Sequence, residues 1–177
     1  HSLEHMRDVP KVLQHWWRLV KPGGAMVIVV PDEDLYEQGV WPSLFNREHV
    51  ATFRFNNSES WSPVSYDLGE LCSALPNAEV ISLERQDRGY DYSLKGHGLS
   101  RMGRFFMRLN RSIVKRLNRR QKLLRDLGFD FQALKYRVNI TSIKLGALID
   151  QTLEEAVAQI QVVLQKEDDR SSDSEKT

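Results

Sequence analysis

Arg18-Leu19-Val20-Lys21-Pro22-Gly23-Gly24-Ala25-Met26-Val27-Ile28-Val29-Val30-Pro31-Asp32 reads as a helix end, a tight turn and a buried strand. Pro22 cannot continue a helix, and Gly23-Gly24 gives a reversal its permissive backbone. The apolar run from Ala25 to Val30 has no alternation, which predicts a parallel strand covered on both faces. Upstream, Asp8 is suited to cap a helix with Pro10 in its first turn, and Val9, Val12, Leu13, Trp16, Leu19 and Val20 recur at helical spacing. A helix feeding a strand in this way predicts one half of an α/β, nucleotide-type fold.

Downstream, Glu33 to Pro63 shows no steady period and reads as a long loop with short helical turns over the ligand face. Ser65 to Leu75 predicts a helix capped by Ser65, with Leu68, Leu71, Cys72 and Leu75 on one face and Pro76-Asn77 ending it. Ala78 to Glu84 alternates in part, as an edge strand would. Ala156 to Gln165 alternates more fully, with Ala158, Ile160, Val162 and Leu164 on one side. Between them, Met102, Phe105, Phe106, Leu109, Ile113 and Leu117 repeat at helical intervals among many arginines from Arg101 to Arg125, predicting a basic amphipathic helix. Such a helix suits a solvated cationic face packed on the domain, an anionic membrane surface, or phosphate groups including those of nucleic acid, with nucleic acid not favoured.

Composition bounds the rest. The apolar run at 25 to 30 is far short of the roughly 20 residues a membrane span needs, so no transmembrane segment is expected. The single cysteine, Cys72, excludes an internal disulfide and a thiolate zinc site, which favours a reducing cytoplasm. The tail from Glu167 to Thr177 is acidic and Ser-rich with no apolar residue, and disorder is expected there.

Ser2-Leu3-Glu4-His5, the helix from Val9 to Val20, Lys21-Pro22-Gly23-Gly24 and the strand ending at Pro31-Asp32 together resemble the class I S-adenosylmethionine (SAM)-dependent methyltransferases, in particular the type 11-like group. The resemblance implies the C-terminal part of a Rossmann-like sheet, mixed, with the last strand antiparallel between its neighbours, and a helical insertion. It divides the chain into a partial core at 1–95 and 151–166, a basic, mainly helical insertion at 96–150 and a disordered tail at 167–177. The acidic Gly-rich loop that holds SAM in the family is expected upstream of Ser2. On that basis this chain is the C-terminal portion of a longer enzyme, inactive by itself, with the missing N-terminal half as its partner and an exposed sheet edge prone to self-association.

By the same resemblance, Ser2 and Leu3 approach the cofactor and His5 faces the reaction centre. His49, in Phe45-Asn46-Arg47-Glu48-His49-Val50-Ala51-Thr52-Phe53, and Asp32, just past the strand, are the other catalytic candidates, each placed to orient an acceptor or take its proton. For each of the three, capping or a plain structural role competes with catalysis. Tyr36 and Trp41 are expected to wall the substrate, with Trp61 beside them. Some related enzymes carry Glu-x-x-Glu-His at this place and bind a divalent ion. Here His1-x-x-Glu4-His5 replaces the first acid, and no metal is expected. The implied activity is methyl transfer from SAM to a small-molecule or saccharide-type acceptor. The alternative is a truncated, non-catalytic module that holds an anionic partner on its basic helix.

Overall fold

The computed structural model describes residues 1–55, 59–96, 98–100 and 102–168. Arg101 and most of the expected tail, 169–177, lie outside the described residues.

The helix before the turn is α1, Val9–Leu19. Asp8 caps it by accepting from the Lys11 amide at 3.3 Å. Its buried positions are Val9, Leu13 and Trp17, four apart, so the packed stripe runs through Trp17, and Leu19 is left 82% exposed. Gly23, at φ 71°, makes the left-handed turn that leads into β1, Ala25–Pro31. Lys166 closes the other end of α1. Its Nζ donates to the carbonyls of Trp17 at 3.2 Å and Val20 at 2.9 Å and lies over the Trp17 ring, which satisfies carbonyls the helix cannot.

β1 pairs antiparallel with the last strand, β5 (Gln159–Lys166), from Ala25↔Gln165 to Pro31↔Gln159. β5 in turn pairs antiparallel with β4 (Ala78–Gln86), giving the order β1-β5-β4. The molecule is therefore a mixed α/β structure in which the last strand runs antiparallel between two others. A bulge at Ile81 lets Val80 and Ser82 face successive β5 residues.

Ile28, Val30, Ile160, Val162 and Leu164 face Leu3, Val9, Leu13 and Trp17 and, from the short helix α2 (Leu68–Ser73), Leu68 and Cys72. Both helices thus cover one face of the sheet. The expectation that β1 is buried on both faces is corrected: Val27 is 58% exposed, because among the described residues no helix packs on the side it shares with Val163, its partner in the β5 register. Ile81, at the bulge, is exposed as well.

The segment read as a loop contains a π turn, Glu33–Glu37, and a strand, β2 (Thr52–Arg54), parallel to β3 (Ser65–Asp67). Ser65 is therefore a strand residue, and the cap of α2 is Asp67, which accepts from the Glu70 amide at 3.0 Å. The chain also contains one Gly-x-Gly, Gly96 to Gly98. It follows a 3-10 turn, Tyr92–Leu94, and not a strand, so it does not form a strand-to-helix phosphate turn.

Residues 103 to 144 form α3 (Gly103–Arg119), α4 (Gln121–Asp126) and α5 (Phe131–Lys144). α3 packs on α5, and Phe106, Ile113 and Leu117, on the same face as Asn110, are half-buried. In that interface Asn110 Nδ2 donates to Asn139 Oδ1 at 2.9 Å and Ser142 Oγ at 3.0 Å. Gly103 begins α3 against the Gly146 carbonyl, where a Cβ has no room. Gln38 ties this region to the core, donating to the Ile149 carbonyl and accepting from the Gly96 amide.

Candidate active site

A cavity of about 350 Å³ opens where β1 ends and β5 begins, lined by His1, Glu4, His5, Pro31, Tyr36, Asn46, His49, Thr152 and Ala156 to Gln159. The carboxyl ends of strands are where open α/β sheets gather ligands. Three local structures build it. A 3-10 turn, Leu3–His5, anchors its buried Leu3 in the core and turns Glu4 and His5 toward the cavity. The Glu4 carbonyl then accepts from the amides of Val50 at 2.7 Å and Ala51 at 3.2 Å, which docks the loop that carries His49. The π turn after β1 brings Tyr36 and Glu37 beneath that loop.

Hydrogen bonds set the protonation geometry of both histidines. His5 Nδ1 meets the Glu48 carbonyl at 3.0 Å, and His49 Nδ1 meets Glu37 Oε1 at 2.8 Å. A carbonyl or a carboxylate only accepts, so each Nδ1 carries the hydrogen and each neutral ring keeps its lone pair on Nε2. His49 and Glu37 are 4% and 2% exposed, so water does not compete for the pair. The two imidazoles meet edge to face at 5.1 Å, and Tyr36 packs on His49 at 5.3 Å. Burial, with Asp150, Glu37 and Glu4 nearby, pushes the Tyr36 phenol up to about 12, so it stays protonated at neutral pH.

Glu4 is the most constrained acid here. Its Oε1 lies 3.3 Å from His1 Nδ1 and 3.7 Å from His5 Nε2. Its Oε2 and that of Glu37 are buried with no hydrogen-bond partner among the described residues. Burial raises the Glu4 pKa, but the hydrogen bond and charge of His1, a backbone hydrogen bond and the charge of His5 together outweigh it, so the carboxyl is held below its usual value. His1 is raised by the same contact. Glu4, His5 and His49 each offer one ligand atom, and these lie within 4.8 Å of one another. The grouping takes His49 as its third member where the sequence suggested His1.

The remaining candidates sit elsewhere. Asp32 is fully buried and accepts from the amides of Asp34 and Leu35 and from Arg85 Nε at 2.6 Å. Its carboxyl is raised, since burial exceeds the effect of Arg85, and it does not line the cavity. Ser2 is exposed and donates to the His1 carbonyl. Leu3 is core. Trp41, half-buried before Pro42, and Trp61, which donates to Asp34 Oδ1 at 3.1 Å, also lie off the cavity wall. The structure thus brings His5, His49 and Tyr36 together and leaves Asp32, Ser2, Leu3 and Trp41 outside.

A profile for the family described as a methyltransferase domain matches residues 1–62. Over that stretch, about a third of the chain, the sequence is similar to a class I methyltransferase-like domain. Comparison with curated proteins and with solved structures found no match. The methyltransferase-like segment carries both histidines, Glu4, Glu37 and Tyr36, while the opposite wall of the cavity, Thr152 and Ala156 to Gln159, comes from outside it. Glu37 and Gln159 carry no spacing signal that links them to the histidines; the fold alone assembles them. No helix among the described residues is long and apolar enough to cross a membrane.

Proposed function

We propose that this cavity is the acceptor side of a SAM-dependent methyl-transfer site that acts on a hydroxyl or amine of a small molecule or saccharide. The observation that carries the reading is the pair of histidines tied at Nδ1, with Nε2 left basic, at the carboxyl end of β1. Bound SAM supplies a methyl group already activated by the positive sulfur. The chain's own task is to align the acceptor, exclude water and accept a proton. His49 Nε2 takes that proton, and buried Glu37 steadies the imidazolium that forms. His5 Nε2 orients the acceptor, with Tyr36 as an apolar wall. Asp32 holds the strand-to-π-turn junction and does no chemistry. Of the cofactor's contacts, the backbone near Ser2 and Leu3 would supply a minor part.

Among the described residues no strand pairs with Ala25–Pro31 on the edge away from β5, apart from the bridge Asp32↔Phe53 just past it, and this edge and the uncovered sheet face at Val27 support a further unit that pairs with β1 and brings the cofactor loop. Without that unit the same surfaces favour self-association. The single buried thiol, Cys72, pushed up to about 12 by burial and Asp67, suits the cytoplasm.

A second reading is favoured by the orphaned Glu4 Oε2: Glu4, His5 and His49 hold a divalent cation. It would lower the pKa of an acceptor hydroxyl, and Glu37 and the Glu48 carbonyl would orient its histidine ligands. Turnover of full-length protein with SAM and a panel of hydroxylated acceptors, with and without chelator, tests both. Chelator-insensitive activity that His49→Ala abolishes supports the base, and chelator-sensitive activity supports the cation. No methylation of any acceptor under either condition would sink the proposal.

A further inference from the structure

α3 carries more apolar surface than α5 covers. Phe106, Ile113 and Leu117 are half-buried on the face whose Asn110 bonds to α5, but Met102, Phe105 and Leu109 are 61%, 63% and 44% exposed. Their spacing, three and then four residues, puts them in one stripe beside the packed face. Leu123, Leu127 and Phe129, just beyond α3, are exposed as well. Free phenylalanine and leucine at this density on an otherwise charged surface mark a binding face.

The charge on the stretch that carries the stripe is of one sign, although Arg111, Lys115 and Arg119 also line a cavity of about 850 Å³ shared with Asp150, Glu154 and Glu155. Residues 102 to 125 hold nine Lys and Arg and no acid. Arg104, Arg108, Arg111, Lys115 and Arg119 follow one another at helical spacing about a third of a turn from the apolar stripe, and Arg116 continues the stripe toward the C-terminal end. Like charges at these spacings repel, and among the described residues no ion pair of α3 offsets them. Nucleic acid would satisfy the cations while leaving Met102, Phe105 and Leu109 in water. A bilayer surface with anionic headgroups satisfies both, since its acyl boundary takes the apolar side chains and its headgroups take the flanking arginines.

We infer that α3 is an interfacial helix by which the protein docks on an anionic membrane surface, with Phe105 and Leu109 inserted and the flanking Arg108 and Arg116 on the headgroups. The inference is independent of the methyl-transfer reading.

Sedimentation of the 177-residue protein with vesicles tests it. Vesicles of phosphatidylcholine with phosphatidylserine should carry the protein down, and phosphatidylcholine alone should not. Phe105→Ser with Leu109→Ser should weaken binding by at least about tenfold, while leaving the fold intact because both side chains are exposed. Added salt should weaken it further. Three results would overturn the inference: no binding to anionic vesicles; binding that survives the double serine variant and responds only to salt; or competition by soluble glycerophosphoserine, which would mean a headgroup pocket in place of a surface. Preference for duplex oligonucleotide over anionic vesicles would overturn it too.

Discussion

Arg85→Met takes the guanidinium from a carboxylate that water cannot reach. The Asp32 side chain is 1% exposed and that of Arg85 32%, with Nε 2.6 Å from Oδ2. Breaking a buried ion pair from one side costs about 3–5 kcal/mol. Water already screens part of this pair on the arginine side, so we expect a loss of about 2–3 kcal/mol at about pH 8. The loss should depend on pH, with a sign set by Asp32. Burial holds its folded pKa above the ordinary carboxylate value despite Arg85, so its contribution to stability is fully present below the unfolded pKa and is lost as pH rises through the folded one. Removing Arg85 raises the folded pKa further. The variant should therefore lie close to wild type near pH 4 and fall behind it progressively toward pH 8. Urea unfolding followed by tryptophan fluorescence at several pH values reads this directly. Adding Asp32→Asn, which keeps the acceptor for the two amides, should recover most of the deficit. A loss under about 0.5 kcal/mol, or one of equal size at both ends of the pH range, would show that Arg85 does not stabilise a buried Asp32 carboxylate.

Other outcomes follow from the same geometry. Glu37→Gln can still accept from His49 Nδ1 through its carbonyl oxygen but removes the charge that steadies the imidazolium, so kcat of the full-length protein should fall about a hundredfold with the KM for SAM unchanged; equal kcat would remove His49 as the base. Lys166→Ala uncaps α1 and loses the contact over Trp17, lowering stability by about 1–2 kcal/mol in thermal unfolding. Val27→Lys, on the uncovered sheet face, should reduce the apparent mass in light scattering while changing stability by less than about 0.5 kcal/mol.

What could be read from the sequence was the part in which period and punctuation agree. Asp8, Pro22 and Gly23 bracket α1 and the turn, and the alternation of Ala158, Ile160, Val162 and Leu164 fixes which face of β5 is buried. Spacing says which residues share a face, but not whether anything covers it. Leu19, Val27 and Phe105 all sit in apolar patterns and all are exposed. β2 and β3 have three residues each, too few for a period to register, so their segment read as a loop and Ser65 as a cap. At the cavity, the histidines stood in recognisable motifs, whereas Glu37 reached His49 only through the π turn and the loop docked on the Glu4 carbonyl. Asp32 followed the strand as an active-site acid would, and its burial beside Arg85 instead made it the pin of the turn.

In the proposed function, the cavity at the end of β1 is half of a methyl-transfer site. Calorimetric titration of SAM tests it most directly, comparing the 177-residue chain with full-length protein that includes the unit pairing with β1. Weak or absent binding is expected for the chain alone and saturable binding for the full-length protein, which His49→Ala should leave intact. No binding to the full-length protein at millimolar SAM, or tight binding to the chain alone, would contradict it.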